Sequence, residues 1–227
     1  AAPSARILAS SVDPETRMLT LEVAAEVPGL EDYYVDIGLC QPGEPYRMAW
    51  TWDSLSRKAN GTYDGTLTFP LDLDMGLELR LEDNTVLFSS DFVSDLLPLQ
   101  FGQGGPSIHF NSEEQKLYLC DFDVHLVNLA GGETQGRDGK FRVYRNGKLV
   151  FTGKKAADSG FDLLVNGEPC ESVGIDCTEG DRMRLCYACT DDAGLRYEFP
   201  LSEILTQKWD GTERCPISGR PMVTWAE

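Results

Sequence analysis

The sequence predicts an all-β protein made of two tandem antiparallel β-sandwich modules, and three observations predict it. Apolar and polar residues alternate with a period of two through most of the chain, the pattern of half-buried strands rather than helices. Dipeptides that favour tight turns punctuate these runs at Asn60-Gly61, Asp64-Gly65, Asp138-Gly139, Asn146-Gly147, Asn166-Gly167 and Asp210-Gly211, supplying the positive φ angles that hairpins need. The halves also repeat in outline: with Leu21 laid on Cys120, GLELRL from Gly76 meets GDRMRL from Gly180, and SDLL from Ser94 meets SEIL from Ser202. Modules over residues 1–98 and 106–206 follow, joined by the glycine-rich PLQFGQGGP, with 207–227 read as an irregular C-terminal extension.

Taken in order, the first module offers seven strands: ARILASS, RMLTLEVAAEV, DYYVDIGL, YRMAWTW, GTLTFPL, LELRLE and TVLFSSD. In the second of these Leu19, Leu21, Val23, Ala25 and Val27 fall on one face, and Thr20, Glu22 and Glu26 on the other. The second module offers PSIHFN, KLYLCDFDVHLV, KFRVYRN, GKLVFTG, FDLLV with its continuation to Ile175, DRMRLCYACT and LRYEFPL. KLYLCDFDVHLV is expected to be one strand, with Tyr118, Cys120, Phe122, Val124 and Leu126 on its inward face. YRNGKLVF, centred on Asn146-Gly147, is the clearest hairpin. Helical signals are few: SDLLPL, SEILTQK and DSLSRKAN each suit a short turn of helix.

Composition narrows the function. Thirty-seven acids against twenty bases give a formal charge of −17 in 227 residues, a surface that repels phosphate backbones and excludes nucleic acid as a partner. A hydrophobic content of 41% is too high for a disordered acidic tail, so the charge coats a folded body. No apolar run approaches the roughly 18 residues of a membrane-spanning helix.

The stretch LCYACTDDAGLRYEF resembles the last two strands of bacterial immunoglobulin-like repeats, with Thr190, Asp191, Asp192, Ala193 and Gly194 matching the turn between them. The resemblance implies two immunoglobulin-like sandwiches and a spacer or interaction module, secreted or at the cell surface, with a protein or polysaccharide partner, no cofactor and no shared catalytic residues. It also implies a bridge from the second to the sixth strand. Cys120 and Cys189, both placed on inward faces, suit such a disulfide, and two buried free thiols are the alternative.

The remaining candidates come from the residues themselves. Trp50 and Trp52 are two apart and share a strand face; exposed, they would stack sugar rings, with Tyr33 and Tyr34 nearby, and buried they are core aromatics. Between Arg137 and Lys155 seven bases face a single acid, Asp138, so Arg142, Arg145, Lys148, Lys154 and Lys155 form a candidate docking hairpin for an anionic partner, or a lysine-guarded edge. Cys186 and Cys189 have the spacing of a redox or zinc pair but fall on a strand, where parity points their sulfurs apart, with Cys186 outward. A metal-dependent enzyme using the C-terminal cysteines, Cys170, Cys177, Cys186, Cys189 and Cys215, is therefore the third reading, after the interaction module and a carbohydrate-binding module. Asp72, Asp74, Asp191 and Asp192 read as solvated acidic turns rather than calcium loops.

Overall fold

A computed structural model describes residues 2–26, 35–40, 56–57, 62–71, 75–81, 85–156, 163–208, 211–215, 217 and 221–225. These fold as antiparallel sheets divided between two units, one of residues 1–100 with 127–133 and one of residues 101–126 with 134–227.

In the first unit, strands β1 (Ser4–Val12), β2 (Met18–Glu26), β4 (Ser56–Arg57) and β5 (Thr62–Pro70) form a sheet in the order β1-β2-β5-β4. A second sheet runs β3-β6-β7, from β3 (Val35–Cys40), β6 (Gly76–Leu81) and β7 (Val86–Ser90). The alternation of β2 is realised as read: Leu19, Leu21, Val23 and Ala25 are buried, and Glu22 and Glu26 exposed. Thr20 meets Thr68 on β5 through a 2.9 Å hydroxyl contact on the outer face. Leu77, Leu79 and Leu81 of β6 add the facing apolar row. The SDLL segment forms a 3-10 turn over Val93–Leu96 that buries Val93 and Leu96.

In the second unit, strands β13 (Arg137–Arg145), β14 (Lys148–Lys155), β15 (Leu163–Val165), β16 (Glu168–Cys170), β18 (Arg182–Thr190), β19 (Leu195–Gln207), β20 (Gly211–Cys215) and β21 (Met222–Trp225) build an eight-stranded sheet. Its order is β16-β15-β14-β13-β18-β19-β20, with β21 also on β19. Strands β9 (Ser107–Asn111), β10 (Lys116–Cys120) and β17 (Ser172–Asp176) form a sheet in the order β17-β10-β9, and β8 (Gln100–Gly104), β11 (Val124–Val127) and β12 (Glu133–Thr134) one in the order β12-β11-β8. The eight-stranded sheet turns Phe141, Tyr187, Tyr197 and Phe199 inward; Phe141 lies 5.1 Å from Phe122 and 5.2 Å from Tyr187, centroid to centroid.

Several local expectations change. KLYLCDFDVHLV is two strands, because Asp121 takes φ 56° and reverses the phase of alternation. Leu117 and Leu119 are buried before it, and Phe122, Val124 and Leu126 after it. Tyr118 and Cys120 thus lie on the half-buried face of β10, opposite their expected side. SEILTQ is not helical. It continues β19, where β18 pairs one edge and β20 the other, and two ladders of hydrogen bonds override a weak helical preference. The blocks SDLL and SEIL, aligned in sequence, therefore adopt different structures. Residues 207–227, expected to be irregular, supply β20 and β21.

The turn dipeptides also divide. Asn146-Gly147 (φ 49° and 84°) and Asn166-Gly167 (φ 53° and 86°) close hairpins with both central residues left-handed, as a type I′ turn requires. Asp64-Gly65 instead lies inside β5, opposite Ala24 and Val23. Asp138-Gly139 forms a bulge in β13, where the register jumps from Arg137↔Thr190 to Lys140↔Ala188 and Asp138 holds φ 55°.

Candidate functional site

The side of the eight-stranded sheet away from its aromatic core carries the chemistry. Alternation in β13 that buries Phe141 and Val143 turns Lys140, Arg142 and Tyr144 to this face, and cross-strand pairing sets the neighbours. One row runs Lys140, Ala188, Glu198, Met222; the next toward the TDDAG turn runs Thr190, Arg196, Thr224; the next the other way runs Arg142, Cys186, Pro200. Short side chains on β18 thus lie between long ones on β13 and β19. The result is an open trough of about 470 Å³, lined by Lys140, Arg142 and Asp138 on one side and Arg196, Glu198 and Met222 on the other.

The base of the trough is an ion-pair cluster. Arg142 Nη1 donates to Glu198 Oε2 at 2.7 Å, and Tyr144 Oη donates to Glu198 Oε1 at 2.7 Å. Glu198 is buried, and its two oxygens are occupied by one cation and one phenol, which a buried carboxylate needs. Burial, with help from the Glu198 hydrogen bond, pushes the Tyr144 phenol up to about 12. Its own hydrogen bond to Glu198 holds the Arg142 guanidinium above its usual range. Arg142 Nε is buried and has no hydrogen-bond partner among the described residues. Lys140 lies directly opposite Lys154 on β14, a like-charge pair that disfavours the sheet locally. Among the described residues neither Lys140, Lys154 nor Arg196 has an ion-pair partner.

The docking hairpin is not one patch. Arg142 and Lys154 belong to the trough face. Arg145 Nε pairs with Asp181 Oδ2 at 2.6 Å, Lys155 Nζ donates to the Val124 carbonyl at 3.4 Å, and Lys148 is exposed beside the turn. The chain's own acids and carbonyls therefore hold Arg142, Arg145 and Lys155. Lys140 and Arg196 were missed as a pair. Their signal was the two-residue spacing in Lys140-Phe141-Arg142 and Arg196-Tyr197-Glu198, but only strand pairing brings β13 and β19 to either side of β18.

Of the two readings of Cys120 and Cys189, the chain carries free thiols and not a bridge, although Cys120 is half-buried and not buried. The phase reversal at Asp121 turns Cys120 to the outer side of β10, where its thiol lies 3.6 Å from Asp121 Oδ2, while Cys189 is buried in β18 opposite Tyr197. Cys186 is buried too, although parity puts it on the outward face, because Arg142 and Pro200 flank it there. Burial pushes the thiols of Cys177 and Cys186 up to about 11, and that of Cys189, with the Asp191 charge nearby, to about 12. Among the described residues no group of three or more His, Cys, Asp or Glu side chains is placed to hold a metal ion.

Asp191, expected in a solvated turn, is buried. Its Oδ1 accepts from the amides of Ala193 and Leu195 and its Oδ2 from Tyr197 Oη, each at 2.9 Å. Trp50, Trp52, Tyr33, Tyr34, Asp72, Asp74 and Asn60 lie outside the described residues. Among the described residues no helix is long and apolar enough to cross a membrane. No protein-family model matches the chain, and no curated protein matches it.

Proposed function

We propose that the chain is a non-catalytic interaction module of a secreted or cell-surface protein, two tandem immunoglobulin-like sandwiches of which the second carries the contact face. The observation that carries this reading is the cation-lined trough on a chain of net charge −17. On such a chain, Lys140, Lys154 and Arg196, which have no ion-pair partner among the described residues, lie beside a concave sheet face and form a local field of opposite sign, which steers and orients an anionic partner. The tandem immunoglobulin-like arrangement is supported by the two antiparallel units and by the TDDAG turn, whose Asp191 ties a β18–β19 hairpin together. A pure spacer has no use for uncompensated like charges on one face.

The test is retention on immobilised poly-L-glutamate and on an immobilised polyuronate at low ionic strength, with poly-L-lysine as the opposite-charge control. Salt-sensitive retention on either polyanion supports the reading, because Debye screening at about 0.15 M reaches only about 8 Å. Retention on poly-L-lysine alone defeats it, since the bulk acidic surface would then govern association.

A further inference from the structure

The trough has a direction and a repeat. Its floor runs along β18 from Thr190 through Ala188 toward Cys186, four residues further down the strand, about 13 Å at the strand rise of about 3.3 Å per residue. Its cationic wall, Lys140 and Arg142, repeats every two residues of β13, about 6.6 Å. Lys154 extends that wall outward from Lys140, and Arg196 stands on the opposite wall between the hydroxyl residues Thr190 and Thr224. Two carboxylates also face the trough. Arg142 and Tyr144 occupy Glu198, and Asp138 sits exposed in the β13 bulge. That leaves Lys140, Lys154 and Arg196 against Asp138, with the buried donor Arg142 Nε at the base.

We infer that the trough binds an extended peptide segment of a partner protein that carries carboxylates on alternate residues. This rests on the interaction reading above and names its partner. An extended peptide turns every second side chain the same way at the repeat of the strand beneath it, so its acids fall in step with Lys140 and with the side of the Arg142 guanidinium that Glu198 does not engage, while Arg196 closes on a third from across the floor. The small Ala188 leaves room for the ligand backbone, and Thr190 and Thr224 offer it hydroxyls. A pyranose polymer lacks the strand repeat and gains no such registry.

The experiment uses the full chain and two fluorescein-labelled octapeptides of identical composition, one alternating Glu with Thr and one with its four Glu in a block. Fluorescence polarisation at about 20 mM salt, where screening is weak, reads the affinity. The alternating peptide should bind about tenfold more tightly than the block isomer, and Lys140→Glu and Arg196→Glu should each weaken it about tenfold. Both substitutions sit on solvent-facing side chains, and Lys140→Glu replaces a like-charge neighbour of Lys154 with an attractive one, so the fold survives. Lys148→Glu, at the exposed hairpin tip, should change the affinity less than about twofold. Equal binding of the two isomers, or an equal loss with Lys148→Glu, overturns the inference and reduces the trough to unspecific charge. Binding of a uronate oligomer with no binding of the peptide also overturns it while leaving the interaction reading standing; binding of neither defeats both.

Discussion

Asp191→Ala should cost the second unit roughly 3–5 kcal/mol, because it removes the acceptor of two buried donors and one half-buried donor at once. The Leu195 amide and the Tyr197 hydroxyl belong to residues 1% and 2% exposed, so water cannot replace the lost carboxylate there. Each bond to a charged acceptor is worth about 1.5–3 kcal/mol. The Ala193 amide is only half-buried and can turn to solvent. The backbone bond from the Asp191 amide to the Leu195 carbonyl, 2.9 Å, survives the substitution and keeps the loss below the plain sum. Asp191→Asn keeps one oxygen for both amides and lets the Tyr197 hydroxyl turn to accept from the new amide, so its cost should be nearer 1 kcal/mol. Tyr197→Phe alone should cost about 1–2 kcal/mol, and combining it with Asp191→Ala should be less than additive. Urea unfolding of the full chain, with amide exchange at Leu195 to place the effect in the hairpin, measures all four. A cost below about 1 kcal/mol for Asp191→Ala, or equal costs for Ala and Asn, would show that the turn is held by its backbone and not by this carboxylate.

The Asp181 carboxyl, which desolvation alone would raise, is held below its usual range by hydrogen bonds from Thr178 and Asn146 and by the Arg145 charge. A depressed folded value stabilises the fold fully above the ordinary carboxylate range near 4 and loses that stabilisation as pH falls through the folded value. Acid unfolding of Asp181→Asn should therefore depend less steeply on pH than that of the parent chain, and equal slopes would refute the assignment. Native alkylation with iodoacetamide at about pH 8 should label half-buried Cys120, Cys170 and Cys215 well before Cys177, Cys186 and Cys189, as site-resolved mass spectrometry reads; early labelling of Cys186 would mean that the outer face of β18 is open. Since these three buried thiols hold their protons up to about 11–12, their contribution is complete below about pH 8.5, where the unfolded thiol ionises, and is lost as pH rises from there through the folded values. Gly104→Ala should cost about 2–4 kcal/mol in thermal or urea unfolding, because at φ +108° a Cβ would strike the Asp123 carbonyl and lie 3.0 Å from Val124 Cα. Gly131→Ala, also left-handed but with open space around it, should cost only about 1 kcal/mol, and equal costs would remove the steric argument.

What could be read in advance was whatever depends on neighbours in sequence. The inward row of β2 and the hairpins at Asn146-Gly147 and Asn166-Gly167 follow from period-two alternation and from a local need for positive φ, and both are present. Asp121 shows the boundary of that reasoning. One residue at φ 56° shifts the phase of everything after it, and an aspartate leaves no mark in an alternating pattern that it will do so. Asp64-Gly65 and Asp138-Gly139 carry the same turn signal as the true hairpins, yet both stay inside strands because a partner ladder continues past them. The trough was hidden for a related reason. Lys140 and Arg196 are more than fifty residues apart in the chain.

The sequence by itself determined an all-β chain with an acidic surface and the hairpin turns at Asn146-Gly147 and Asn166-Gly167, since side-chain alternation, charge and local φ preference act within a few residues. Only the tertiary structure decided that Cys120 and Cys189 stand apart as free thiols, that SEILTQ is strand and not helix, and that β13 and β19 flank the short side chains of β18 to leave a cation-lined trough. Strand order is chosen by which distant segments bury each other's apolar faces and satisfy each other's backbone, and that competition is settled across the whole sheet rather than in any stretch of it.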